Sequence, residues 1–297
     1  MTAIARTARP ERPSHLKRDL ALVGVALIVI WAAATVGVRA DRILELPGGI
    51  GLVFYKMFLE RGPDWSYLPT ALDGMRESLQ IAWIGTVLGA ILSLPLGFFG
   101  AKNVSSGLAS NIVRQVLNAI RAFPEVVLAI AIMIPIAGLG PVPGALAIGL
   151  HSVGTLGKLT AEVIEGIDPG PVEAARAAGG RSLQIQRWGV LPQVLPEIVA
   201  FWLYRFEINI RAAAILGVVG AGGIGFSLDQ TIKFHRYPLA GTAIIVVVVA
   251  TIAVDLVSGW VRRRIIEGSG AKRVVGDAIE EPTFAGAGGG SVDTAAG

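Results

Sequence analysis

The stretch Asp168-Pro-Gly-Pro-Val-Glu-Ala-Ala-Arg-Ala-Ala-Gly179-Gly180-Arg-Ser-Leu-Gln-Ile-Gln-Arg-Trp188-Gly-Val-Leu-Pro192-Gln-Val-Leu-Pro196 is a polar, turn-rich segment set between long apolar runs. It encodes two short helices. Gly170 can act as N-cap with Pro171 at the first helical position, where its fixed φ and missing donor do no harm. Glu173 then sits in the first turn, where the helix dipole favours a carboxylate. Ala174 to Ala178 continue the helix. Gly179 and Gly180 are placed to stop it by adopting φ > 0, and Ser182 can cap a second helix ending near Gly189 and the Leu191-Pro192 pair. The segment reads as a helix-turn-helix spanning about residues 167–196.

Outward from it the chain is a membrane sequence. Of its 297 residues 53% are apolar and 16% charged, with a mean hydropathy of +0.63. A helix needs about 20 mostly apolar residues to cross a bilayer, because its backbone must satisfy its own hydrogen bonds there. Leu20 to Val38, Ser78 to Ala101, Val126 to Gly157 and Tyr237 to Val254 contain no Asp, Glu, Lys or Arg. The third run is too long for one crossing. Its middle, Ile134-Pro-Ile-Ala-Gly138-Leu-Gly140-Pro-Val-Pro143-Gly144, removes helix donors and permits a reversal, so it divides into two helices. Ile198 to about Val219 is apolar except for Arg205, Glu207 and Arg211. The predicted architecture is an all-α integral membrane protein of six transmembrane helices, with a first span at 20–38, an external loop at 39–77 and a core at 78–264.

Charge placement sets the orientation. Arg6, Arg9, Arg12, Lys17 and Arg18 precede the first span and Arg262, Arg263 and Arg264 follow the last, which predicts cytoplasmic termini. The loop from Arg39 to Glu77 balances basic with acidic residues, and within it Ile50 to Glu60 predicts a short amphipathic helix at the membrane surface, beside interfacial Trp65 and Tyr67. The first apolar run is longer than a signal-peptide core, which predicts a retained anchor. Tails at 1–19 and 265–297 have compositions that build no core. There are no cysteines, and His15, His151 and His235 are far apart, which argues against a disulfide framework or a metal centre. No phosphate-binding Gly-x-x-x-x-Gly-Lys-Ser/Thr occurs, the nearest being Gly157-Lys158 followed by Leu159, so hydrolysis of ATP is not expected of this chain. No acid or histidine cluster suggests an intramembrane enzyme, and nothing points to a nucleic-acid partner.

Glu173-Ala174-Ala175, Gly179 and Leu191-Pro192 resemble the cytoplasmic loop of ABC importer permeases, which have an aliphatic residue where this chain has Gly189. From about Ser78 to Arg264 the chain is similar to the phosphonate branch of these permeases. The likeness lies in Gly85 to Asn103, Arg121-Ala-Phe-Pro-Glu125, Gly154-Thr-Leu-Gly-Lys158, Tyr204 to Arg211 and Leu216 to Gly225. The resemblance implies a type I ABC importer (MetI-like) permease fold with a cytoplasmic coupling helix. It also implies a pore of two identical copies, two ATPase subunits that bind ATP and magnesium, and a periplasmic or surface-held binding protein. The cargo implied is a phosphonate, phosphate or phosphite. A permease for sulfonates or methionine has the same loop, and a secondary transporter would not need it.

The intramembrane polar residues leave two readings. Counted from Glu197, Glu207 to Arg211 lie about 15–21 Å into their helix, near mid-bilayer. Glu207 and Arg211 are spaced to neutralise each other, and Arg121 and Glu125 repeat that spacing on the third helix. In one reading Arg121, Arg205 and Arg211, with Glu125, Glu207 and Asn209, line the path of an oxyanion; in the other these are ion pairs that lock helices, and Arg205 snorkels to the interface. Gly220, Gly222, Gly223 and Gly225 follow a membrane helix rather than a strand, so they read as a bend that forms either an outer gate or a tight turn. His151 is expected to be uncharged on a helix face.

Overall fold

A computed structural model describes residues 16–35 and 40–268, which form two compact units, Met1–Glu60 and Arg61–Gly297. The predicted tails fall largely outside these residues, as do Arg6, Arg9, Arg12 and His15. Among the described residues every regular element is helical. The first unit holds α1 (Leu16–Thr35) and α2 (Ala40–Phe58). In α1 the stretch Arg18–Thr35 is apolar and long enough to span, with none of it buried in protein. The predicted surface helix at 50–60 is the second half of α2, which continues back through Pro47.

The second unit begins with a tight turn, Trp65–Tyr67, capped by Asp64 and tied to the last helix where the Thr242 hydroxyl donates to Asp64 O at 2.8 Å. α3 (Leu68–Gly100) follows at once. The loop expected at 39–77 is therefore mostly helix, because Pro69 suits a first helical turn and the apolar pattern of α3 starts well before Ser78. Next come α4 (Gly107–Ala122), α5 (Glu125–Ala137) and α6 (Pro141–Glu165). α7 (Pro169–Ala177) and the single turn α8 (Ser182–Ile185) lead into α9 (Leu191–Leu216), and α10 (Gly223–Lys233) and α11 (Tyr237–Gly268) complete the unit.

Helices α3 and α6 form the spine. Gly85, Gly89, Ser93 and Gly97 recur every fourth residue on one face of α3. Cβ atoms built on three of them would strike α6: that of Gly85 falls 2.7 Å from Ile148 Cγ2, that of Gly89 2.5 Å from Ser152 Cβ, and that of Gly97 against Thr160. Between lipid-bathed helices the hydrophobic effect offers little, so backbone approach along small residues supplies the contact. Leu117 of α4 closes over Gly157 from the other side. An ion pair from Arg114 Nη2 to Glu165 Oε1 at 2.6 Å, with Arg114 Nε donating to Gly100 O, pins α4 to the ends of α3 and α6.

Three helical stretches are unbroken and apolar enough to cross a membrane: Arg18–Thr35, Trp65–Gly100 and Tyr237–Ile265. Two bent pairs are each apolar enough to count as one further span, α4 with α5 at 85° and the run Ser182–Ala221 with α10 at 59°. The 25-residue α6 is not among these candidate spans, and its buried face includes the small residues Gly144, Ala147, Gly149, Ser152, Gly154, Gly157 and Thr160. The division expected within Val126–Gly157 occurs at Gly138–Gly140, both with positive φ. Amphipathic α4, which was not foreseen, forms the first limb of the pair bent by 85°.

Candidate functional site

Half of the polar residues singled out in the membrane core converge: Glu125, Arg205 and Asn209. Arg205 lies about 21 Å along α9 and is 7% exposed. Its Nε donates to Ser152 Oγ at 3.0 Å and its Nη2 approaches His151 Nδ1 at 2.6 Å. One turn on, the fully buried Asn209 donates through Nδ2 to Thr86 Oγ1 at 2.8 Å and to Ser152 Oγ at 3.1 Å. Glu125, at the start of α5, puts Oε2 3.4 Å from the same His151 nitrogen. Four helices, α3, α5, α6 and α9, thus contribute to one polar cluster around a buried guanidinium. Arg205 points inward and does not snorkel, because Ser152 and His151 satisfy it there.

The helical spacings misled on the pairs. Arg121 ends α4 and Glu125 opens α5, separated by Pro124 and the 85° bend, so they do not form a pair on one helix. Glu207 and Arg211 each turn to α11 instead: Arg211 Nη1 stands 3.6 Å from Asp255 Oδ2, and Arg262 Nη2 stands 3.7 Å from Glu207 Oε1. That Glu207 oxygen is buried without a hydrogen bond, held by charge alone. These residues tie α9 to α11, apart from the Arg205 cluster. His151, Ser152 and Thr86 are the members that sequence did not nominate for the cluster; their one signal was small or polar side chains on the spine.

The glycine series forms a break. Gly220, Gly222 and Gly223 adopt positive φ, which L side chains reach only with strain. They end a π-helical turn at Gly217–Ala221 and start α10. Gly225 stays helical and permits contact with the Ala214 carbonyl. The opened amides are taken up by α3, with Gly223 N donating to Glu77 Oε2 at 2.8 Å and Ile224 N to Ser78 Oγ at 3.0 Å. Gly140 N donates to Gly220 O at 2.9 Å, so the break after α5 rests on the break after α9. Glu77, Ser78 and Gly140 were not foreseen as partners.

In the segment 167–196 the first helix starts earlier than expected. Asp168 is its cap, accepting from Gly170 N at 2.9 Å, and Pro169 rather than Pro171 is the first helical residue. Glu173 and Ala174 are exposed, with Ala175 half-buried. Only Gly179 takes positive φ; Gly180 is required because a Cβ there would meet Ala175 O at 2.7 Å. Ser182 does not cap, since Arg181 holds that position and its amide donates to Gln184 Oε1 at 2.8 Å. Nor does the second helix stop at Leu191-Pro192. It passes through a π-helical turn, Gln186–Val190, into α9. Gly189 is explained by packing, as a Cβ would lie 3.1 Å from Val172 Cα in α7. Gln193 clamps the arms by donating to Gly189 O at 2.6 Å and Asp168 O at 3.2 Å, over a core of Ile164, Val190, Val194 and Ile198.

Comparison with known proteins agrees with this architecture. Residues 93–267 match the family model described as binding-protein-dependent transport system inner membrane component. The chain is 39% identical over 202 residues to the phosphite transport system permease protein PtxC of Stutzerimonas stutzeri, covering 68% of this chain and 73% of that one. It is 39% identical over 191 residues to the phosphate-import permease protein PhnE of Mycolicibacterium smegmatis, covering 64% of this chain and 36% of that protein. Among solved structures, an inward-facing form of the MetNI methionine ABC transporter superposes with a TM-score of 0.60 at 20% identity, over 68% of this chain and 97% of that one. At that identity the likeness is one of fold. With more than half of the sequence matched by the family model, the chain belongs to the family of binding-protein-dependent transport system inner membrane components.

Proposed function

We propose that the chain is the permease of an ATP-driven importer whose cargo is a phosphorus oxyanion, phosphite, phosphate or a phosphonate, and that Arg205 and Asn209 mark the path. The observation that carries the reading is the guanidinium of Arg205, nine-tenths buried in mid-span and bonded to Ser152 and His151 of α6, which in turn meet Asn209 and Glu125. A charge at that depth is costly and normally serves a pathway. Guanidinium suits an oxyanion because its planar donors make paired bonds to two oxygens. The relatives named for phosphite and phosphate transport support the cargo class. Arg121, exposed at the bend beside Glu125, would attract an anion toward the cluster. Arg211 and Glu207 serve the α9–α11 junction.

The exposed helix α7, with Glu173, Ala174 and Ala175, is the docking arm for an ATPase subunit that binds ATP and magnesium. Gly179, Gly180, Leu191 and Pro192 shape the junction that passes its motion to α9. The glycine break at Gly220, Gly222, Gly223 and Gly225 acts as the outer gate. Two copies of the chain, two ATPase subunits and a binding protein make the complete importer in the cytoplasmic membrane, with both termini inside. The test is uptake of labelled phosphite, phosphate and methylphosphonate into vesicles holding the whole complex, with and without ATP. ATP-dependent uptake of at least one is expected and is lost in Arg205→Gln. Uptake without the ATPase refutes the importer reading, and ATP-driven uptake of an unrelated solute alone refutes the cargo.

A further inference from the structure

We infer that Glu125 is an internal stand-in for the cargo: in the empty protein its carboxylate compensates Arg205, an arriving phosphorus oxyanion displaces it, and its return promotes release. This rests on the oxyanion reading of the Arg205 cluster. The guanidinium has five N–H donors. Nε is spent on Ser152 and Nη2 on His151, while Nη1 makes no hydrogen bond to the protein among the described residues. One edge of the planar fork is therefore only half used, in the geometry that two oxygens of an anion would take.

His151 cannot satisfy both of its neighbours. The same Nδ1 faces Arg205 Nη2 at 2.6 Å and Glu125 Oε2 at 3.4 Å. Arginine is always a donor, so the shorter contact makes Nδ1 an acceptor and leaves the ring proton on Nε2. The Glu125 carboxylate then receives no hydrogen from the ring and makes no hydrogen bond among the described residues. It stays by charge attraction to the guanidinium, and leaving forfeits no directed bond.

Exposure runs in the same order. The Glu125 side chain is 27% exposed, that of His151 14%, and Arg205 as a whole 7%. The member nearest water is the one least tightly held. Glu125 is also the first residue of α5, immediately after Pro124 at the 85° bend, where the backbone has no preceding helical turn to hold it. A carboxylate held on the same cluster as its cation has a high effective concentration, so it competes well with a free anion of similar charge. A buried cation without that competitor would trap its cargo.

The test uses the complete importer in nanodiscs without binding protein, and equilibrium dialysis with labelled inorganic phosphate and phosphite, alongside ATP-driven uptake when binding protein is restored. Glu125→Gln and Glu125→Ala are expected to bind the anion at least about tenfold more tightly than the unaltered complex while transporting it several-fold more slowly. Co-purification of the ATPase subunits verifies assembly. A merely structural Glu125 would lower affinity on removal and never raise it. Unchanged, weaker or absent binding in both Glu125 variants, with binding abolished in Arg205→Gln, overturns the inference and leaves the oxyanion site standing. Full binding and uptake in Arg205→Gln overturns the oxyanion reading itself.

Discussion

Substituting one methyl group at Gly89 tests the spine and the cluster together. The new Cβ would stand 2.5 Å from Ser152 Cβ and 3.2 Å from Gly149 O. Carbon atoms in contact prefer about 3.5–4.0 Å, so the overlap exceeds about 1 Å. Ser152 Cβ is fixed to the backbone and cannot rotate away, so α3 and α6 must part. Overpacking of this kind costs about 1–3 kcal/mol. The separation also pulls on Ser152 Oγ, which accepts from Arg205 Nε and Asn209 Nδ2, and on the bond from Asn209 to Thr86. Loss of one of these bonds adds about 1 kcal/mol, giving a total of about 2–4 kcal/mol. Gly259→Ala on α11 is the control, since nothing lies within 4 Å of a Cβ there. Thermal unfolding of the chain in nanodiscs should show Gly89→Ala falling by several degrees and Gly259→Ala unchanged or slightly raised, with uptake lost in the first alone. Equal melting temperatures and equal uptake would refute the close α3–α6 contact and the cluster built on it.

Removing the cap carboxylate in Glu77→Ala should cost about 0.5–2 kcal/mol and speed hydrogen exchange at Gly223 while Ile224 stays protected by Ser78; unaltered exchange at Gly223 would contradict the cap. Glu173→Lys should leave the unfolding free energy within about 0.5 kcal/mol of the original, because the side chain is exposed, yet abolish ATP-driven uptake by reversing charge at the proposed docking arm. Full uptake in that variant would count against α7 as that arm. Hydrogen bonds from the Ser66 hydroxyl and then its amide hold the Asp64 carboxyl below the usual carboxylate range. A depressed native value means that this support is full above the unfolded pKa of about 3.9 and is lost as pH falls through the native value. Asp64→Ala should therefore accelerate exchange at Ser66 at neutral pH and lose that effect in strong acid, and an equal effect at both pH values would refute the linkage.

The helix breaks were legible from sequence because they depend on local chemistry. Prolines and glycines at Ile134–Gly144 and at Gly220–Gly225 dictate a break whatever surrounds them. The helix-turn-helix at 167–196 was legible for the same reason, although its cap fell at Asp168 and its second arm ran on into α9. What a helix does with its charges was not legible. Spacing of i, i+4 names neighbours along one helix, whereas Glu207 and Arg211 found oppositely charged partners across a gap, on α11. Arg121 and Glu125 had the spacing without sharing a helix, since Pro124 lies between them.

The residues sequence passed over are the ones that join distant elements. A broken helix within a membrane exposes amides that no water can reach, so another helix must supply acceptors at that depth. Glu77 and Ser78 do this for α10 from a position 146 residues away in the chain. The same α3 presents Thr86 to Asn209 and Gly89 to Ser152 along the spine. One rigid helix thus holds the capped end of α10 and one wall of the Arg205 cluster. A shift of α9 that opens the glycine break has to pull against Glu77 and Ser78 at one end of α3 and against Thr86 further along it. The glycine break and the Arg205 cluster therefore share a common strut, α3, without any intervening flexible segment.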